Sequence, residues 1–168
     1  MVMDDPRPLV AVFLGTDHHP FDRLVRWAAG LEERAGVSVH VQHGSTTLPP
    51  GLPGASMLAP EPMDDLLHRA SAVITHAGPG SIMDARDHGH VPIVVPRDPH
   101  LGEHVDDHQL RFARFIARSG AIMTAYDEDE LAARVRMSVL VGRPRTAVVR
   151  PTATLDRFEQ LIDRLVRR

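Results

Sequence analysis

The sequence predicts an α/β domain: a parallel, Rossmann-like sheet with helices on both faces. Three observations point there. Short apolar runs, such as 9–14 and 72–75, alternate along the chain with amphipathic stretches, the pattern of parallel strands joined by helical crossovers. These runs show no polar alternation, as strands buried on both faces do not. Glycine turns, at Gly15 and at Gly78 to Gly80, directly follow two of them. Ligands on such sheets sit beyond the carboxyl ends of the strands, so the two turns are expected to share one cleft.

In order, a strand over 9–14 leads through Gly15 to a helix over 22–34, with Leu24, Val25, Ala28 and Leu31 on one stripe. Val37, Val39 and Val41 alternate with polar residues and predict a second strand. The Gly- and Pro-rich loop 44–55 precedes a short strand over 56–59. Pro60-Glu61-Pro62 breaks the chain before a short helix over 63–70. After the strand at 72–75, Ser81 is the expected N-cap of a helix, with Asp84 placed to complete a capping box. Strands follow over 91–95 and 121–125, with a helix between them capped by Asp106 or Asp107. A helix over 127–141 carries acids in its first turn, and an amphipathic helix over 152–168 closes a single domain spanning 1–168.

Composition narrows the function. The chain has 168 residues, enough for one real core, and 43% are apolar. A net charge of -3, one Trp and one Tyr provide neither a basic nucleic-acid footprint nor a base-stacking platform. Cysteine is absent, which excludes disulfides, thiol catalysis and Cys-ligated zinc. No apolar run resembles a signal peptide or approaches a spanning helix. The expectation is a cytoplasmic chain, recruited to a membrane only through a partner.

The chemistry concentrates in 72–96. His76-Ala-Gly-Pro-Gly-Ser81 turns the chain from a strand into a helix, aiming backbone N–H groups and the positive helix end at one point above the sheet. Such a point suits a phosphate or diphosphate. The turn is neither a dinucleotide fingerprint nor a P-loop, since the chain has no Lys. A purely structural strand-to-helix turn is the alternative reading of Gly78 and Gly80. His104 and His108, with His100 near, have a spacing that metal sites use, but the neighbouring Asp106 and Asp107 read as a helix start, and no metal site is expected.

With Asp84 eight residues after His76, and Asp107-His108-Gln109 further on, this segment resembles the donor-binding half of GT-B glycosyltransferases, specifically the family 28 C-terminal domain. Gly15-Thr16 and Ala59-Pro60 fall in that family's order, so the resemblance covers 9–126. The chain is most similar to stand-alone, split members: the small subunit of the dolichol-linked N-acetylglucosaminyltransferase, and bacterial exopolysaccharide counterparts that the stretches 92–97 and 103–109 resemble. The resemblance implies a UDP-sugar donor. Gly78, Gly80, Ser81 and His76 would hold the diphosphate, with Gly15 and Thr16 opposite. Asp84 would take the ribose, Asp107 and Gln109 the sugar, and the backbone at Leu58 and Ala59 the base. It further implies transfer without a metal or other cofactor. A membrane-associated partner subunit would bind a lipid-linked or polysaccharide-precursor acceptor and carry the general base. His18 and His19 are the candidates for a base on this chain. Two other readings stay open. One is a nucleotide-binding regulatory module without transfer. The other is a homodimeric glycosyltransferase or epimerase acting on a soluble substrate.

Overall fold

The computed structural model describes residues 6–143. The predicted helix over 152–168 lies outside them. Thirteen elements are arranged in chain order. Strand β1 (Leu9–Phe13) is followed by α1 (Asp22–Ala29), α2 (Leu31–Ala35), β2 (Ser38–Gln42), β3 (Gly54–Ala55) and α3 (Pro60–Arg69). Then come β4 (Ala72–Thr75), α4 (Pro79–Asp87), β5 (Ile93–Val94), a 3-10 turn (Pro99–Leu101), α5 (His108–Ala117), β6 (Met123–Thr124) and α6 (Glu128–Val141). The strands form one parallel sheet in the order β3-β2-β1-β4-β5-β6. Val10 pairs with Val39 on one side and with Ala72 on the other.

Each central strand divides its side chains between two cores. Val10, Val12 and Leu14 pack with Leu24, Val25, Ala28 and Leu31, and with Leu131 and Val135 of α6. Ala11 and Phe13 face the opposite layer, with Leu66 and Leu67 of α3 and Ala85 of α4. Phe112 and Ile116 of α5 extend that second layer over Val94. This two-sided burial is why β1 reads as a continuous apolar run rather than an alternating one. The expected Rossmann-like sheet with helices on both faces is therefore present.

Several local expectations are corrected. The helix over 22–34 breaks at Gly30, where a Cβ would lie 3.0 Å from Glu128 Oε1. The short strand sits at Gly54–Ala55 rather than at 56–59, because its ladder bonds run from Val41 N–H to the Pro53 carbonyl and from His43 N–H to the Ala55 carbonyl. Pro60 does not break the chain; it occupies the first position of α3, where its missing N–H has no helical partner to lose. Ser81 is not an N-cap, and the capping box does not form. Gly78 caps α4, and Pro79 starts the helix two residues before Ser81, so Asp84 falls on its second turn. Asp106 rather than Asp107 accepts a bond from the start of α5, through the His108 N–H at 3.0 Å. The acids expected in the first turn of α6 are Glu128, Asp129 and Glu130, and Asp127 caps the helix, accepting from the Glu130 N–H at 2.7 Å. Among the described residues, no helix is long and apolar enough to cross a membrane.

Candidate functional site

The topology places the site. The chain runs outward from β1 to β2 and β3, then returns to the far side of β1 and runs outward again through β4, β5 and β6. The β1/β4 boundary is the topological switch point, where the connections after neighbouring strands diverge and leave a crevice. Both glycine turns leave the sheet there. Gly15, Thr16 and Asp17 follow β1, and 76–81 follow β4; together they line an open cleft of about 500 Å³. Leu58, Met57 and Gln42 close one end, and Gln109 and His108 the other.

His76 forms the floor between the turns. A Cβ on Gly15 or on Gly78 would each lie 2.5 Å from its Nε2, so both glycines are needed to house the ring. Gly15 also has φ +81, a conformation that L side chains rarely adopt. Gly80 differs: a Cβ there meets nothing within 4 Å, and its φ is not positive. Among the described residues, nothing in the packing requires Gly80, which leaves its backbone bare toward the cleft. The first bond of α4 runs from the Ile82 N–H to the Gly78 carbonyl, so the N–H groups of Gly80 and Ser81 have no intrahelical acceptor.

Burial, reinforced by the Arg97 charge, lowers the His76 pKa to about 4, although Asp17 and Gln109 act in the opposite direction. The ring is therefore neutral at physiological pH. Its Nε2 lies 3.4 Å from Ser81 Oγ, and its buried Nδ1 has no hydrogen-bond partner among the described residues. His76 shapes the floor and sets the Ser81 hydroxyl; it does not supply a positive charge.

A buried network holds the loops around the cleft. Arg97 is 1% exposed. Its guanidinium donates to the carbonyls of Leu14 (2.9 Å), His19 (2.7 Å) and Glu103 (3.0 Å) and stacks over Phe21. Glu103 accepts two bonds from Arg23, at 2.9 and 2.7 Å, and one from the Asp98 N–H. Two arginines are thus balanced by Glu103 and nearby Asp17, so this network positions the Gly15 turn without giving the cleft a net positive charge. The donors available to an anion are the backbone N–H groups and the helix end. Sequence reasoning missed Arg97, Glu103 and Arg23 as a unit. The one local signal is an arginine directly after the apolar run 91–96, and its carbonyl partner Leu14 lies 83 positions away.

The remaining predicted residues are divided between cleft and surface. Gln109 is buried, and its Oε1 accepts from the N–H groups of Ala77 (3.3 Å) and Arg97 (3.2 Å), fastening the second turn to the Arg97 loop. Leu58 lines the cleft, while Ala59 is exposed beside it as the cap of α3. Asp84 is exposed on α4, and Asp107 is exposed and paired with Arg111 at 3.0 Å; neither side chain lines the cleft. At the rim, His18 is 85% exposed, whereas His19 is held through Nδ1, 2.6 Å from Asp17 Oδ1. His104 lies beside them, 3.6 Å from Asp17 Oδ2, and its pKa is lowered by burial and by His108. Burial alone would raise the Asp17 pKa, but the His19 hydrogen bonds and the Arg97 charge bring it below the ordinary value.

Residues 9–140 match the glycosyltransferase family 28 C-terminal domain. An L-demethylnoviosyl transferase of Streptomyces niveus is 30% identical over 132 residues, which cover 75% of this chain and 33% of that protein. The chain thus spans about a third of the length of the curated relative it matches. Among solved structures, the ALG13 solution structure is similar with TM-score 0.55 and 19% identity, covering 90% of this chain and 94% of that one. The glycosyltransferase VinC, solved in complex with dTDP, is similar with TM-score 0.54 and 20% identity, covering 80% of this chain and 34% of VinC. The two glycine turns at the switch point thus lie within a match that takes in the whole six-stranded sheet, and the chain belongs to the glycosyltransferase family 28 C-terminal domain family.

Proposed function

We propose that this chain is the donor-binding, catalytic subunit of a split glycosyltransferase that uses a UDP-sugar. The observation that carries the reading is the convergence of both glycine turns and the N-terminus of α4 on one cleft at the switch point. The diphosphate lies against Gly78, Gly80 and Ser81, with Gly15 and Thr16 opposite. The base sits toward Leu58 and Ala59, and the sugar lies at the Gln109 end of the cleft; Asp84 and Asp107 stand outside the cleft wall and take no part in holding the donor. As the glycosidic bond breaks, negative charge grows on the departing diphosphate. Fixed backbone donors and a helix end stabilise that charge without reorganising, and no metal is needed for the step. The acceptor is lipid-linked and is brought by a membrane-associated partner subunit. Coverage of nearly all of ALG13, but about a third of VinC, supports a donor-binding half. The general base lies in the partner; on this chain, His19 with Asp17 orienting its Nδ1 is the arrangement suited to taking a proton.

A second reading, favoured by the dTDP complex of VinC, is a thymidine-diphosphate donor. Calorimetric titration with UDP, dTDP and UMP, with and without magnesium, separates the readings. The expected result is UDP binding that is independent of magnesium, about tenfold weaker for UMP, and lost in Gly80→Val. Preference for dTDP selects the second reading. Equal binding of UMP and UDP, or full binding by Gly80→Val, refutes a diphosphate site at this turn. If neither nucleotide binds the chain alone, the same titration with a candidate partner tests whether the site needs completion.

A further inference from the structure

Away from the cleft, Asp64, His68 and His88 converge between α3 and α4. Asp64 and His68 are four residues apart on α3 and so share one face, while His88 caps the C-terminus of α4. One ligand-type atom from each lies within 4.8 Å of the others. His88 Nε2 is 2.7 Å from Asp64 Oδ1, His68 Nδ1 is 3.3 Å from Asp64 Oδ2, and the two rings meet edge to face.

The tautomer decides what this arrangement can do. His88 Nδ1 lies 2.7 Å from the Asp84 carbonyl, which can only accept, so Nδ1 carries the hydrogen. In the neutral ring Nε2 is then a lone pair, and it faces a carboxylate oxygen, also an acceptor. Two acceptors at this distance need a cation to join them, either a proton or a metal ion. A histidine with one N–H fixed on a backbone carbonyl and the other nitrogen aimed at an anionic ligand has the second-shell support typical of zinc ligands. His68 is exposed, with Nδ1 3.0 Å from the Asp64 carbonyl, and it reaches the ion through Nε2 by turning its ring inward. Two other His-and-Asp groups, Asp17 with His18 and His19, and His104 with Asp106 and His108, are weaker cases. There the Asp accepts from the backbone N–H two residues on, so an ordinary Asx turn explains the contact. Asp64 and His88 are 24 positions apart, and no local turn brings them together.

We propose that Asp64, His68 and His88 bind a divalent transition-metal ion of the zinc class, through one carboxylate oxygen and two imidazole nitrogens. Tetrahedral zinc places its ligand atoms about 3.3 Å apart, so His88 Nε2 and Asp64 Oδ1, now 2.7 Å apart, must open slightly, and atoms at most 4.8 Å apart must close in by no more than about 1.5 Å. The fourth position opens onto the groove lined by Pro60, Glu61 and Asp65. The ion ties the C-terminal end of α4 to α3, whereas the N-terminal end of α4 serves the cleft. Metal and nucleotide therefore share no ligand.

The test is titration of the full chain with zinc chloride in excess magnesium, followed by calorimetry and by NMR of the protein labelled with nitrogen-15 at histidine. At one equivalent, the ring nitrogens of His68 and His88 shift, and zinc raises the melting temperature. His68→Ala and Asp64→Asn, both at exposed positions where folding is not at stake, each weaken zinc binding by about tenfold or more and abolish the thermal shift. His108→Ala leaves both unchanged. Zinc binding with His68 and His88 unmoved, wild-type affinity in His68→Ala and Asp64→Asn, or no zinc binding at all overturns the proposal.

Discussion

Gly78 and Gly80 stand two residues apart in one turn, yet adding a methyl group to each should have opposite effects. Gly80 is the second residue of α4, and a Cβ there meets nothing within 4 Å. Replacing glycine by alanine inside a helix gains about 0.8–1.0 kcal/mol, and a first-turn position should realise about half of that. For a chain of this size the melting temperature should rise by about 1–2 °C. Gly78 has φ -81, which alanine adopts freely, so its cost is purely steric: the new Cβ lies 2.5 Å from His76 Nε2. Forcing a methyl group into a packed site costs about 1–3 kcal/mol. In the His76→Ala background the obstacle is gone and the cost should vanish. Urea denaturation of the wild type, Gly78→Ala, His76→Ala and the double variant measures the coupling, expected at about 1–3 kcal/mol. Gly80→Ala, though more stable, should bind UDP about tenfold more weakly, since its methyl group occupies the approach to the helix end. A Gly78→Ala cost unchanged by removing His76 would show that the ring does not set the requirement. Undiminished UDP affinity in Gly80→Ala would show that no phosphate approaches this backbone.

Two further predictions concern the cleft's support. Arg97→Met should destabilise the fold by about 3 kcal/mol or more, because it leaves three inward-facing carbonyls without their buried donor at about 1–3 kcal/mol each; Arg97→Lys should recover less than half, since a single ammonium cannot serve the carbonyls of Leu14, His19 and Glu103 together. A lysine variant as stable as the wild type would refute the fork geometry. His76 should make stability depend on pH. Above its unfolded value of 6.5 both states are neutral and it contributes nothing; as pH falls from 6.5 toward about 4 the unfolded chain takes up the proton and the native ring resists it, so stability is lost across that window. The loss is on the order of 3 kcal/mol at most, and denaturation at pH 7 and pH 4.5 should show a smaller loss in His76→Gln.

Much of the architecture was legible because its signals are local. The apolar runs at 9–14 and 72–75 mark strands buried on both faces, and an acid at Asp127 marks the start of α6, since each depends only on near neighbours. Gly15 and Gly78 advertise sharp turns. That the two turns meet in one cleft followed from the rule for parallel sheets, and the β1/β4 pairing bears it out. Local signals misled where they competed. Ser81 has the chemistry of a cap, but Pro79 presets the helical φ two residues earlier, so Ser81 faces His76 instead. The exposure of Asp84 and Asp107 depends on the angles at which α4 and α5 leave the sheet, which no motif spacing encodes. Which polar groups are buried together was settled by the packing alone. Arg97 meets Leu14 and His19 across 83 and 78 positions, and His88 meets Asp64 across 24. Sequence periodicity reports how a residue sits relative to its own helix or strand. A buried hydrogen bond between distant segments depends on where both backbones end up, and only the packed sheet fixes that.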